Sequence, residues 1–403
     1  MTSTQDILWS GPFARTMLTN FFFFGSLNGF VLLPLYVHQL GGSEAAIGLV
    51  QGSYSAAGIL CQPLVGAWID RVGRHFFMIL GATLLTVSCA AFAASSAFPL
   101  LGLLRALQGA GYSAFFVANY LHVVDLVPHE RRGWALGIYG LSGLLSTSLA
   151  PLAGEFVIRR MGFSWLFAGA ALFAGASLAL VFRMRDVQPP SLTGGPGLEA
   201  VRQGIVELLH LHMGLMFFFG LGTGTIFTFL PTFAERLGVT GLGLFYTAYA
   251  GAAMLVRVAG GVLIDTRGRR AVIIPSMLVQ AAAASILAMV AILVRPGSAV
   301  PVLPFLFATG FMAGGAHGFL YPALSALLMD VTPERRRGSA IGTFNSVYLI
   351  GTALGSIAFG YVARGFGYRV MWSALALLLF AGFLASLRLR VGHSPHQLAT
   401  DAG

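Results

Sequence analysis

Arg105, Gln108, Tyr112, Phe115, Asn119 and His122 follow one another at intervals of three or four residues, which places them on one face of a helix. That face lies inside an apolar run, 98–124, long enough to cross a bilayer. The set offers a permanent cation, two amides, a phenol, an apolar ring and an imidazole, but no nucleophile paired with an acid or base. Such a stripe suits non-covalent capture of a small solute in a water-accessible space. Interhelical hydrogen bonding draws on the same Asn and Gln types and is the alternative use.

Thinner stripes of the same spacing recur. They run through Gln51, Tyr54, Gly58 and Gln62, through Gly314, His317 and Tyr321, and through Asn345, Tyr348 and Thr352. The first apolar run is broken by Asn20 and Asn28 and holds no Asp or Glu. Converging stripes predict a central cavity whose substrate-facing residues are Asn20, Asn28, Arg105, Gln108, Tyr112, Phe115, Asn119, His317, Tyr321, Asn345 and Tyr348. A guanidinium stays protonated, so Arg105 holds an anionic group or organises a carboxylate rather than carrying a proton. With no acid in the first run, a neutral, zwitterionic or anionic solute suits the site better than a lipophilic cation. Two groups are candidates for proton coupling, Glu155 near one end of its run and His317 in mid-run. A cap or an ion pair with Arg159 is the other reading of Glu155. Arg257, two turns before Asp265, is either a snorkelling or a gating residue.

Positioning such stripes falls to apolar helices. Of 403 residues, 57% are hydrophobic and 9% charged, against roughly 25% charged in a soluble domain. Twelve spans are predicted, over 16–37, 45–68, 75–95, 98–124, 134–156, 163–182, 211–234, 242–264, 271–294, 301–328, 338–362 and 368–387. All 24 basic residues are Arg. They lie in short loop clusters, not in a stripe with aromatic partners, which argues against nucleic acid. With both termini cytoplasmic, inner segments hold sixteen Arg and outer loops six, so the positive-inside rule predicts that orientation. No Lys means no phosphate-binding Gly-x-x-x-x-Gly-Lys loop. His210 and His212 point to different helix faces, and Cys61 and Cys89 lie in apolar runs, so neither pair suggests a metal. No cofactor is implied.

The chain repeats itself. Gly66-Ala-Trp-Ile-Asp70-Arg71-Val-Gly73-Arg74 matches Gly261-Val-Leu-Ile-Asp265-Thr-Arg-Gly268-Arg269 at an offset of 195. Asp125-Leu-Val-Pro128-His-Glu130-Arg131-Arg132-Gly133 matches Asp330-Val-Thr-Pro333-Glu334-Arg-Arg-Arg337-Gly338 at an offset of 205. Duplication of a six-helix unit is a transporter architecture with the substrate site between the halves. The predicted organisation is a first bundle over 1–185, a cytoplasmic linker over 186–209 carrying a short amphipathic helix, a second bundle over 210–390, and a tail over 391–403.

The duplicated loop pattern, with Leu104-Arg105-Ala-Leu-Gln108-Gly109-Ala-Gly111, resembles the signatures of the major facilitator superfamily, in its bacterial twelve-helix efflux-type branch. Where antiporters of that family carry Gly-Pro-x-x-Gly, this chain has Ala150-Pro151-Leu-Ala-Gly154. The resemblance implies an all-α polytopic membrane protein of two six-helix bundles related by a pseudo-two-fold axis. It also implies an inner gate of charge pairs over Asp70, Arg71, Arg74, Glu130, Arg131, Arg132, Asp265, Arg269 and Glu334; simple anchoring of turns in the headgroup region is the plainer use of those charges. The expected activity is proton-driven efflux of a small amphipathic or lipophilic solute by alternating access. The expected setting is a monomer in a bacterial inner membrane, with lipid, solute and protons as partners. Uptake of a small organic anion is the second reading, and a non-transporting receptor or enzyme the third. If the orientation holds, cysteines placed at Ser43 and Ser298 react with an impermeant reagent from outside, and those at Thr193 and Glu334 from inside. Labelling of position 193 from outside would overturn the topology.

Overall fold

A computed structural model describes residues 11–128, 132–184, 211–295, 297, 300–332 and 337–389. The expected linker helix and the tail lie outside the described residues. Among these residues every regular element is a helix. The first half comprises α1 (Gly11–Gln39), α2 (Glu44–Val72), α3 (Arg74–Phe92), α4 (Phe98–Asp125), α5 (Arg132–Met161) and α6 (Phe163–Phe182). The second comprises α7 (Leu211–Arg236), α8 (Gly243–Thr266), α9 (Arg269–Leu293), α10 (Leu303–Val331), α11 (337–366) and α12 (368–386). The last two run on without a loop, separated at Gly367, whose φ is 78°. Each helix lies within about five residues of its expected span.

Length and apolarity make these elements membrane spans. Nine helical stretches among the described residues, that over Gly342–Ser386 counted as one, are long and apolar enough to cross a bilayer. Large side chains such as Leu172 and Phe366, both 73% exposed, project from the bundle, as expected where the surrounding medium is acyl chain rather than water. Loops after even-numbered helices gather the Arg clusters, so that end is called Arg-rich and the opposite end Arg-poor.

Two backbone details show how the halves repeat. The duplicated motifs turn at Gly73 and Gly268, with φ of 98° and 82°, a region costly to any residue with a Cβ. Two residues of one type, each joining a pair of helices, therefore occupy equivalent places in the two halves. Charge follows the same symmetry. Arg74 pairs with Asp125 and donates from Nη1 to the Leu121 carbonyl at 3.1 Å. Its counterpart Arg269 reaches Asp330 at 3.2 Å and the Ile264 carbonyl at 3.0 Å. Each pair ties the start of one helix to the end of the next within its own half.

A break in α1 supplies a third constraint. Pro34 has no N–H, so the Phe30 carbonyl four residues back loses its helical donor. The chain tightens to a 3₁₀ turn over Phe30–Leu32, and Gln51 Nε2 on α2 donates to the Phe30 oxygen at 3.2 Å. The Leu33 N–H of that turn donates to the same oxygen, so the carbonyl has two partners where no water reaches it.

The Arg74–Asp125 pair yields a stability test. Arg74→Gln and Asp125→Asn should each lower stability by about 2 kcal/mol, and the double change should cost less than their sum. Additive losses in detergent melting would show that the two side chains act independently.

Candidate substrate cleft

The halves meet mainly along two pairs of helices, α2 with α11 and α5 with α8, and α1 also touches α7. Hydrogen bonds joining them among the described residues cluster toward the Arg-poor end. Glu155 on α5 accepts from the backbone N–H of Gly241 at 2.8 Å and of Gly243 at 2.7 Å, at the start of α8. Arg159, one turn on, donates to the same carboxylate at 2.5 Å. A carboxylate at a helix N-terminus answers orphan N–H groups and the positive end of the helix dipole. Thr247 donates to the Ser148 carbonyl at 3.2 Å. At the rim His38 meets Glu235 at 3.0 Å.

Deeper in, rings from both halves face one another. Tyr112 lies between Tyr54, with centroids 5.6 Å apart, and Phe116, stacked at 5.2 Å. Across the interface His317 packs between Phe219 at 5.1 Å and Tyr249 at 5.5 Å, and Tyr348 lies 5.3 Å from Phe219. Tyr321 donates to Asn345 Oδ1 at 2.8 Å. Tyr321 lies within electrostatic reach of Tyr112, Tyr120 and Tyr139 in the first half, and Tyr348 within reach of Tyr54. Tyr54, Tyr112, Phe116, His317, Tyr321, Asn345 and Tyr348 are each partly accessible. Their mutual approach makes that accessible space a cleft between the halves. A separate void of about 10 Å³ beside Tyr249 and Gln280 has room for about one water, so it is not a solute site.

Close helix crossing sets the two aromatic walls. Gly109 on α4 lies against the Tyr54 backbone of α2, and Gly314 on α10 lies against the Tyr249 backbone of α8. A Cβ at either glycine would strike that backbone. Tyr54 and Tyr249, 195 residues apart, therefore occupy equivalent places in the two halves.

The α4 stripe is divided by this arrangement. Tyr112 faces the cleft. Arg105, Gln108, Phe115 and Asn119 are enclosed within the first half. Arg105 Nη1 donates to Gln108 Oε1 at 2.7 Å, and its guanidinium lies 4.6 Å from the Tyr54 ring centroid. Gln108 in turn donates to Cys89 at 3.4 Å. Phe115 stacks on Phe23 at 3.8 Å. Asn119 donates to Asn20 at 3.2 Å. Asn20 and Asn28 both bond to α5, through Ser142 at 2.7 Å and through Ser146 at 2.9 Å. These amides tie helices together.

Comparison with known proteins identifies this frame. The sequence profile of the Major Facilitator Superfamily matches residues 16–242 and 212–402. The chain belongs to that superfamily. It is 24% identical over 393 residues to the staphylopine export protein of Staphylococcus aureus, covering 93% of this chain and 95% of that protein. It is 26% identical over 400 residues to the multi-drug resistance efflux pump PmrA of Streptococcus pneumoniae, covering 95% and 96%. Its fold matches the crystal structure of a variant of the nucleoside transporter NupG, at 14% identity with a TM-score of 0.76, covering 94% of this chain and 99% of that one.

The twelve-helix, two-bundle fold of this superfamily is therefore the fold of this chain, an integral membrane transporter. Of the expected gate residues, Arg74 and Arg269 form the pairs described above, while Arg132 is half-buried at the start of α5. The side chains of Asp70, Arg71 and Asp265, and all of Glu130, Arg131 and Glu334, lie outside the described residues. Asp125 and Asp330, the partners of Arg74 and Arg269, were absent from the gate set; their place at the head of the second duplicated motif was the available signal. Gly140 and Arg257, which meet across the halves, were not singled out for the site either.

Glu155 holds α8 at the Arg-poor end, so any opening there has to break that clasp. Thr247→Cys, placed behind that clasp, should react slowly with an impermeant thiol reagent applied from the Arg-poor side. Adding Glu155→Ala should speed the reaction about tenfold, the factor for a lost interaction of about 1.4 kcal/mol. An unchanged rate would make the clasp incidental.

Proposed function

We propose that this transporter exports a small amphipathic solute from the cytoplasm by alternating access, in exchange for protons. The observation that carries the reading is the pairing of a clasp at the Arg-poor end with a partly accessible aromatic cleft behind it. On the Arg-based orientation the Arg-poor end faces outward, so the cleft receives solute from the cytoplasmic side. The halves then rock about the cleft, and breakage of the clasp releases solute outside. Relatives named as an export protein and an efflux pump support the outward direction.

His317 and Glu155 are the proton-carrying candidates. His317 lies in the cleft wall with its Nδ1 buried and unpartnered among the described residues, so it can exchange a proton without first breaking a bond. Glu155 is held by two backbone N–H groups and Arg159, which suits a latch. Asp70 and Asp265, at the ends of α2 and α8, are proposed to close the cytoplasmic side in the opposite state.

Proteoliposomes carrying a pH-sensitive dye test the proposal. Solute moving down its own gradient should drive proton movement the opposite way, and His317→Ala should remove the proton movement while solute, bound more weakly, still crosses down its gradient. Proton flux in the same direction as solute would replace exchange with cotransport. Unchanged flux in both Asp70→Asn and Asp265→Asn would remove the cytoplasmic gate, and solute binding without any flux would leave a receptor.

A further inference from the structure

We infer that Arg257 on α8 is the anchor for an anionic group on the solute, so that the cleft takes amphiphiles bearing a carboxylate. The inference rests on the transport reading only for the existence of a solute.

Arg257 sits in mid-helix, fourteen residues into α8, and its head crosses to the other half. Gly140 on α5 makes the room, because a Cβ there would collide with the guanidinium Nη1. Arg257 is only partly accessible, and its Nε is buried with no hydrogen-bond partner among the described residues. No ion pair joins it to an acid among the described residues, in contrast to Arg74 and Arg269. Asp265 on its own helix is two turns away, about 12 Å along the axis. Among the described residues the groups within its electrostatic reach are His317, Tyr249 and Tyr321, none of them a carboxylate.

A permanent cation in hydrocarbon costs several kcal/mol unless water, an acid or a ligand answers it. Arg105, in mid-span of α4, has an Nε unpartnered among the described residues too, but its Nη1 donates to Gln108 and its guanidinium lies on the face of Tyr54. Arg257 is left with an open fork at the interface, beside a histidine whose Nδ1 is also unpartnered. A planar carboxylate matches a guanidinium through two parallel bonds. His317 Nδ1, unpartnered among the described residues, stands close by as a further donor. An apolar body attached to that carboxylate would lie against Tyr112, Phe116 and Tyr348. The same fixed charge repels a lipophilic cation, so charge selection follows from one residue.

The test uses full-length protein in lipid nanodiscs and three fluorescent probes sharing one dansyl ring: dansylglycine, its neutral amide, and the aminoethyl dansylamide cation. Dansylglycine should bind about tenfold more tightly than the amide, and the cation most weakly. Arg257→Gln should abolish that order while leaving affinity for the amide within about twofold, and Arg257→Lys should keep part of it. The melting temperature of ligand-free Arg257→Gln should equal or exceed that of the parent, since an unanswered charge has been removed. A structural arginine would instead lower it. Equal binding of the three probes, no binding of dansylglycine at about millimolar concentration, or a preference that survives Arg257→Gln would each overturn the inference. Binding through Arg257 without solute flux would keep this site and sink the transport reading. Flux with a charge preference indifferent to Arg257 would sink this site alone.

Discussion

Hydrocarbon offers a polar atom no partner, and the placement of polar side chains in this chain follows from that constraint. The Phe30 carbonyl that Pro34 cannot serve is met by the Leu33 N–H and by Gln51. Asn20, Asn28 and Asn119 are spent on one another and on α5. Arg105 is answered inside the first half. These bonds tie the helices of the first bundle to one another, as rocking of two halves without unfolding would require. Among the described residues some buried groups stay unanswered, Gln51 Oε1 and Trp372 Nε1 among them, and those at the cleft include His317 Nδ1 and Arg257 Nε.

Duplication explains why the cleft is central. The same tight turn at Gly73 and Gly268, the same Arg–Asp pair and the same glycine crossing behind Tyr54 and Tyr249 appear once in each half. Two copies of one bundle place equivalent aromatic walls opposite each other. Symmetry ends where function needs difference. The position equivalent to Arg257 in the first half is Gln62, so the charged anchor belongs to one wall alone.

The spans and the repeat were legible because hydrophobic length and motif offset are properties of the linear chain. Helix 4 shows the limit. Spacing placed Arg105, Gln108, Tyr112, Phe115 and Asn119 on one face, yet a face of one helix touches several neighbours at different depths. Tyr112 reaches the cleft while Phe115 stacks on Phe23 and Asn119 meets Asn20. Periodicity carries no information about which neighbour a residue meets. For Glu155, spacing did offer the Arg159 pair and a capping role, but not which backbone N–H groups, 86 and 88 residues away, it caps. Backbone donors leave no residue type for a motif search to find.

Reciprocal motion of the two ends is the central claim, and paired distance measurement tests it most directly. Spin labels at Gln39 and Arg236 report the Arg-poor end, and labels at Val72 and Arg267 report the Arg-rich end; all four side chains are exposed. With the Glu155 clasp closed, the first pair should give one short distance and the second a longer one. Conditions that favour solute release should lengthen the first distance while shortening the second. Two distances that stay fixed through turnover, or that lengthen together, would contradict a carrier built from two rocking halves.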